Sequence, residues 1–323
     1  MTYTFEQLDA RLEDWSTTID SEQVGTIHQT PAWLRFLSKT QHGEPVLAAL
    51  RERQATLGCL IGMIVRKFGL RILGSPFPGW STSYVGLILS GEVDRGRAVR
   101  ALIDFAFDGL GCVHLEMMDR HVTLKDLEEL DVRYTAYRGF EIDLTRREDE
   151  LFSGMISACR RCIRSAEKRG VMIEETSDAG FAEDYYSQLG DVFSKQGLVP
   201  TYGIERVRQL IAHIYPTGHL LLLRARDQRG RCIATGIFPH LNSPALAMFR
   251  FQVGRLWHRA LSPPQSEWPG PLGSDAAAHR PLVARGSHLS PLSPEATWRH
   301  PLRQELDAGK PLVRICGGGY EQL

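Results

Sequence analysis

Residues 151–175, LFSGMISACRRCIRSAEKRGVMIEE, constrain the fold more than any other segment, because they join an amphipathic helix to a strand inside one short unit. Leu151, Met155, Cys159, Cys162 and Ala166 recur at helical spacings and line one face, beside a parallel stripe of Arg160, Arg164 and Lys168. Gly170 is the expected helix stop, and Val171, Met172 and Ile173 open a strand. A basic stripe at the start of a new structural unit is placed to hold an anion.

The 323 residues, 43% of them apolar, suffice for two ordinary domains or one large one. The 38 basic and 38 acidic side chains cancel, so bulk charge argues for neither nucleic acid nor an anionic membrane, and anion binding must be local. Cysteines at 59, 112, 159, 162, 232 and 316 form no small-domain framework and read as free thiols of a reducing compartment. The start, MTYTFEQLDARLEDW, reads as an acidic amphipathic helix rather than a signal peptide. The longest apolar run, 57–65, is too short to span a bilayer, so a soluble, cytoplasmic protein is expected. Cys159 and Cys162 form a C-x-x-C, but both sit mid-helix on the apolar stripe without a second ligand pair, so core packing is expected rather than redox chemistry.

Along the chain, helices are expected over 5–15 and after Thr30, which serves as N-cap with Pro31 at the first helical position. Strands follow over 45–50, 56–65, 70–73 and 84–89, then a helix over 95–110, a strand over 113–117, a short helix over 124–130 and a strand over 140–144. The second half repeats the order: a helix over 149–169, a strand over 171–175, helices over 181–195 and 204–215, and strands over 219–225, 231–238 and 245–251. Strand, two helices and an antiparallel meander, occurring twice, make an α+β tandem of mixed, largely antiparallel sheets. The polar run TRREDE at 145–150 marks the boundary, giving a first core over 1–148 and a second over 149–251.

Several blocks carry a resemblance: PAW and the helix at 31–37, SPFPGWSTSYVG at 75–86, MISACRRCIRSAEKRGV at 155–171, DVFSKQGLVPTYG at 191–203, TGHLLLLRA at 217–225 and IATGIF at 233–238. In this order they resemble the GNAT acyltransferase core, and in tandem form the FemAB-like aminoacyl- and acyltransferases, over about residues 1 to 250. The resemblance implies transfer of an acyl or aminoacyl group from an activated ester or thioester to an amine, the two halves binding different reactants across a shared cleft. Such chemistry needs little beyond deprotonating and orienting the amine and stabilising an oxyanion, so no Ser/His/Asp or Cys/His signature is expected. No permanently bound cofactor or metal is expected. The donor stays open between aminoacyl-tRNA and acyl-CoA, and the acceptor is an amine on a small molecule or a cell-envelope or nucleotide-linked precursor. Coenzyme A-dependent relatives open a helix with a glycine-rich pyrophosphate loop, whereas the nearest string here, Gln228-Arg229-Gly230-Arg231, lies in a hairpin.

Arg160, Arg161, Arg164 and Lys168 are candidates to hold phosphate on a precursor, a tRNA or coenzyme A; the alternative is a solvated basic helix face. In the loop at 75–86, Trp80 and Tyr84 suit recognition of a sugar or peptide, against an ordinary connection plugged by Trp80. Glu116 and Asp119, near Arg120 and His121, are candidates to accept the amine proton, against a loop of solvated charges. Tyr202 either lines the cleft or caps a helix.

After Phe251 the texture changes. Between residues 252 and 314 there is no Ile, Met, Phe, Tyr, Asn or Cys, while nine of the 17 prolines fall there, so an irregular tail is expected over 252–323. A change of reading frame accounts for this composition: shifted by one nucleotide with wobble bases free, residues 252–256 become RWGGS, 261–265 become YHRPN and 271–276 become HWAAM. These resemble elements due at this point in the family. The end, Ile315-Cys-Gly-Gly-Gly-Tyr320, resembles its final glycine-rich strand. A genuine Pro-rich interaction tail is the competing explanation, and a non-catalytic protein that binds an anionic or saccharide ligand is the competing function. The sequence leaves the oligomeric state open.

Overall fold

Thr30 accepts a hydrogen bond from the backbone N–H of Trp33, and Pro31 follows at a position where no N–H is needed, so helix α1 starts there and runs Pro31–Gln41. The computed structural model describes residues 2–9, 12, 15, 26–77, 82–91, 93–130, 132–141, 144, 146–241 and 312–322. For residues 133, 135–141 and 312–322 it describes the backbone.

The first residues of the helix expected over 5–15 are instead a strand, whereas Leu12 and Trp15 are helical and residues 10, 11, 13 and 14 lie outside the described residues. Thr4–Gln7 (β1) pairs antiparallel with β2, Glu44–Glu52, placing Phe5 opposite Leu50. The alternation of Tyr3 and Phe5 puts both rings against one core cluster, and an edge pairing satisfies backbone groups that a frayed helix end would leave open. Strands β3 (Ala55–Lys67), β4 (Leu70–Ser75) and β5 (Leu87–Leu89) follow, then α2 (Arg95–Asp104), whose last turn widens into a π-helical stretch over Phe105–Gly109. Next come β6 (His114–Asp119), α3 (Leu124–Leu127) and β7 (Arg133–Glu141).

In the second half the expected helix over 149–169 is two helices, α4 (Glu148–Gly154) and α5 (Ser157–Lys168), separated at Met155 and Ile156. Gly170 ends α5 at φ +65°, its N–H bonding the Glu167 carbonyl and that of Val171 the Ala166 carbonyl, which together make a Schellman motif. Strand β8 (Met172–Glu175), helices α6 (Phe181–Ser194) and α7 (Ile204–Ile214), and strands β9 (Leu220–Arg226) and β10 (Cys232–Pro239) complete this half. The strand expected over 245–251 lies outside the described residues.

Within the stretch expected to be irregular, the end whose residues 315–320 resemble a final glycine-rich strand is a strand, Leu312–Gln322 (β11). It lies parallel between β6 and β7, pairing Arg314 with both Glu116 and Arg133, so the last residues of the sequence complete the first sheet. Among the described residues the strand order is β1-β2-β3-β4-β6-β11-β7, with β5 also on β3, and a second sheet runs β10-β9-β8. This is an α+β architecture with mixed sheets.

Alternation along the first sheet separates two cores. Leu60, Leu73, Leu115 and Met117 face α2, with Leu102 and Val99. On the other face Leu47, Ile61 and Met63 meet Trp33, Phe36 and Leu37 of α1 together with Phe181, Ile214, Leu220 and Leu222 from the second half. The two halves therefore share one hydrophobic core, and this seam sets the position of every polar group on that face. A Leu or Phe fully buried in it contributes about 1.5–3 kcal/mol. Among the described residues no helix is long and apolar enough to cross a membrane.

Candidate anion site at the seam

Arg206 lies on the first turn of α7, four residues after Tyr202, so its guanidinium falls back over the Tyr202 ring, 5.1 Å from the centroid. The Tyr202 hydroxyl is 3.5 Å from that of Tyr185 on α6, and the Tyr186 hydroxyl donates to the Tyr202 carbonyl at 3.0 Å, which holds the 197–203 connection against α6. Tyr185 packs on the seam core, and its burial pushes the phenol well above its ordinary range. Nη2 of Arg206 is buried and meets no hydrogen-bond acceptor among the described residues, nor does any described carboxylate pair with this side chain. Burial accordingly pulls the Arg206 pKa down, with the Tyr202 hydroxyl opposing it. A desolvated guanidinium without a counterion is costly, and the species that would relieve the cost is an anion.

Seven residues on, His213 occupies nearly the same side of α7, about 10 Å along the axis. Burial lowers its pKa first, and the positive charges of Arg35 and Lys39 on α1 lower it further. Those two residues are one helical turn apart, so two cations of α1 face His213 of α7 across the seam. A neighbouring His pair, His219 and His240, meets edge to face at 5.8 Å, and His219 is also shifted down by burial and by His240.

Glu116 and Asp119 share β6 but face opposite ways. Asp119 is on the α2 side, 3% exposed, where Oδ2 accepts from the Leu87 N–H and from Arg95 Nη1, both at 2.9 Å, and Oδ1 accepts from the His121 N–H at 2.7 Å. These three donors make it a clamp on the turn that begins β5. Glu116 alternates with it onto the seam side, the face shared with Ile72 and Met63. There it is half-buried, with Oε1 3.2 Å from Nε2 of His114, whose Nδ1 is buried without a partner among the described residues.

The end of the 75–86 loop is braced by its surroundings. Trp33 Nε1 donates to the Thr82 hydroxyl at 2.9 Å, Gln29 Nε2 donates to the Val85 carbonyl at 2.6 Å, and Arg120 donates to the Tyr84 hydroxyl at 2.7 Å. Tyr84 is thus a nearly buried anchor beneath Arg120, while Trp80 lies outside the described residues.

The basic helix serves its own corner. Arg160 Nη1 donates to the carbonyls of Ser153 and Met155, capping the C-terminal end of α4, and Arg164 stacks over the Phe152 ring at 5.3 Å. Arg161 reaches the Ser157 hydroxyl at 3.4 Å, and Lys168 is exposed. The apolar stripe of α5 is not the buried face that core packing of the C-x-x-C requires: no described residue of this helix is buried, Cys159 is exposed, and Met155 stands 38% exposed. The Gln228–Arg231 string is a turn between β9 and β10, with the Gly230 N–H on the Asp227 carbonyl.

Sequence reasoning stopped one turn short of Arg206, although an aromatic residue four positions before an arginine was visible as a stacking signal. It also passed over Arg224, an inward-facing charge in the apolar strand LLLLRAR. Arg224 is 2% exposed and gathers Asp178 and Asp184 around the start of α6. The Asp178 carboxyl is held well below its usual range by that guanidinium.

No protein-family model and no curated protein matches the chain. Among solved structures, a crystal structure of FemX resembles it with a TM-score of 0.50 and 14% sequence identity, over 69% of this chain and 58% of that one. The chain therefore spans little more than half the length of that protein, and at this identity the likeness is one of fold. The architecture is a Fem-like α+β fold.

Proposed function

We propose that the protein is a transferase that moves an acyl or aminoacyl group onto the amine of an acceptor bearing an anionic, phosphate-type group, such as a cell-envelope or nucleotide-linked precursor. The observation that carries this reading is the half-buried Arg206 guanidinium beside the seam of a Fem-like fold, whose buried Nη2 meets no partner among the described residues. Arg206 would form charge-assisted hydrogen bonds to the anion, with Tyr202 holding the guanidinium plane and Arg35 and Lys39 of α1 supplying favourable potential from across the seam. Glu116, on the seam side and polarised by His114, would take the proton that the attacking amine loses. Arg160, Arg161, Arg164 and Lys168 would then guide a polyanionic donor such as aminoacyl-tRNA, rather than grip the acceptor. Acyl-CoA remains the other donor, though its expected pyrophosphate loop has no counterpart at 228–231.

The test is transfer from a panel of aminoacyl-tRNAs and acyl-CoAs to nucleotide-linked amino-sugar peptides, alongside titration with inorganic pyrophosphate. Pyrophosphate binding that Arg206→Ala abolishes, with product formation, supports the reading. Saturable binding without any transfer leaves the second reading, a non-catalytic protein for an anionic or saccharide ligand. The engagement of Asp119 in a structural clamp favours that alternative, since it leaves Glu116 as the one carboxylate of the pair facing the seam.

A further inference from the structure

The β3–β4 hairpin runs past its neighbours in the sheet. Pairing of β2 with β3 ends at Ile64, and pairing of β6 with β4 begins at Ile72, so the rungs Val65–Ile72, Arg66–Arg71 and Lys67–Leu70 advance towards a tip that neither neighbour flanks. The turn is two residues, Phe68 at φ +52° and Gly69 at φ +80°, the positive-φ pair of a type I′ hairpin. Its first position favours Asn, Asp or Gly, and a bulky aromatic there is strained. Packing does not repay that strain, because Phe68 is 92% exposed. Leu70 is exposed beside it, Lys67 Nζ lies 6.0 Å over the Phe68 ring, and the Arg66 side chain, 62% exposed, makes a solvent-facing pair with Glu44 of β2 at 3.7 Å. From Arg53 to Gly91 the chain contains Arg53, Arg66, Lys67 and Arg71 and no Asp or Glu.

Exposed apolar side chains scattered singly are ordinary. Here an aromatic residue is held at the apex of a projecting hairpin by a turn that disfavours it, with cations on both preceding rungs and a second apolar residue alongside. We propose that this hairpin docks the protein on an anionic lipid surface, Phe68 and Leu70 entering the headgroup boundary while Lys67 and Arg66 meet the negative headgroups. Cations flanking an aromatic wedge suit that boundary because the ring gains burial and the charges stay hydrated near lipid phosphates. The neutral overall charge of the chain makes this a local device. Contact is reversible, since one aromatic ring and two or three cations give far less than an inserted helix. The hairpin is at the opposite end of β4 from the 75–86 loop and Asp119, so the inference is independent of the transferase reading.

The test is flotation of the full chain with phosphatidylcholine vesicles containing about one-third phosphatidylglycerol, against phosphatidylcholine alone. The protein is expected to float with the anionic vesicles only, and to be released at about 0.5 M salt. Phe68→Asn discriminates sharply because Asn suits the type I′ turn: thermal stability should hold or rise while partitioning falls about ten-fold. Lys67→Glu should reduce partitioning by a similar factor or more. Absence of flotation, equal flotation on neutral vesicles, or flotation unchanged by Phe68→Asn overturns the proposal. So does loss on Phe68→Asn of binding to a short single-stranded RNA when no vesicle binds, which would assign the hairpin to nucleic acid.

Discussion

A Cβ built on Gly86 would stand 2.6 Å from Oδ2 of Asp119, the oxygen that also receives the Leu87 N–H and the Arg95 guanidinium. Gly86 has φ +61°, so both its backbone conformation and the carboxylate beside it require the missing side chain. Replacement by Ala should destabilise the fold by about 2–4 kcal/mol, from left-handed strain together with displacement of a buried carboxylate, read as a lowered urea midpoint. An unchanged midpoint would mean that the clamp is not held in solution.

Asp119→Asn tests the same clamp from the other side. An amide cannot match the carboxylate as an acceptor for three donors, and Arg95 loses its counterion at a site where its side chain is only 17% exposed. A loss of about 3 kcal/mol is expected in chemical denaturation. If the variant were as stable as the parent but inactive, Asp119 would be a proton acceptor and its structural role secondary.

Glu116→Gln should behave in the opposite manner. The side chain is half-buried on the seam face with one close partner, so stability should change by no more than about 0.5 kcal/mol. Turnover should fall about 100-fold or more with KM little altered, because the proton of the attacking amine loses its acceptor. Equal turnover in both forms removes Glu116 from the mechanism.

Arg206→Met should cost little stability, within about 1 kcal/mol, or add some, since it replaces a half-buried guanidinium whose Nη2 has no partner among the described residues with an apolar chain of similar length. Pyrophosphate affinity should drop by about 10- to 100-fold. A large destabilisation with unaltered pyrophosphate binding would show that Arg206 is a packing residue.

His213 and His219 give the fold a sensitivity to acid. Both have folded pKa values below the ordinary value, His213 through burial and then Arg35 and Lys39, His219 through burial and then His240. The unfolded chain takes up these protons near pH 6.5, before the folded one does. Their contribution to stability is therefore complete above that pH and declines as the pH falls below it, levelling once the folded imidazoles are also protonated. Urea midpoints measured from pH 8 down to about 5 should show this decline, and His213→Gln should reduce it. An anion seated at the seam should shift the ring resonances of His213 so that its titration moves upward; an unmoved titration with bound pyrophosphate would place the anion elsewhere.

Much of the secondary structure was legible because it rests on local chemistry. Thr30 with Pro31 starts α1, Gly170 stops α5, and apolar runs mark β2, β3, β9 and β10 at nearly the expected bounds. The candidate site was legible only in part. Tyr202 stands out in the sequence from its place between two helices, but that no described residue pairs with Arg206 Nη2 is a property of everything around it, and no window of sequence displays that. Glu116 and Asp119 looked alike in the string HLEMMD; alternation assigns them to opposite faces, and only the cores on either side tell which face is which.

The amino-acid sequence by itself determined the α+β character, the start of α1, the stop of α5 and most of the order of elements, because caps, turns and periodicity act over a few residues. Tertiary structure alone decided that Thr4–Gln7 is an edge strand, that Leu312–Gln322 enters between β6 and β7, and that α1 sets Arg35 and Lys39 beside His213 of α7. Those outcomes rest on hydrogen-bond ladders and apolar contacts between residues tens to hundreds of positions apart. Such partners satisfy one another only once the chain has closed, so the free energy that selects them has no local signature.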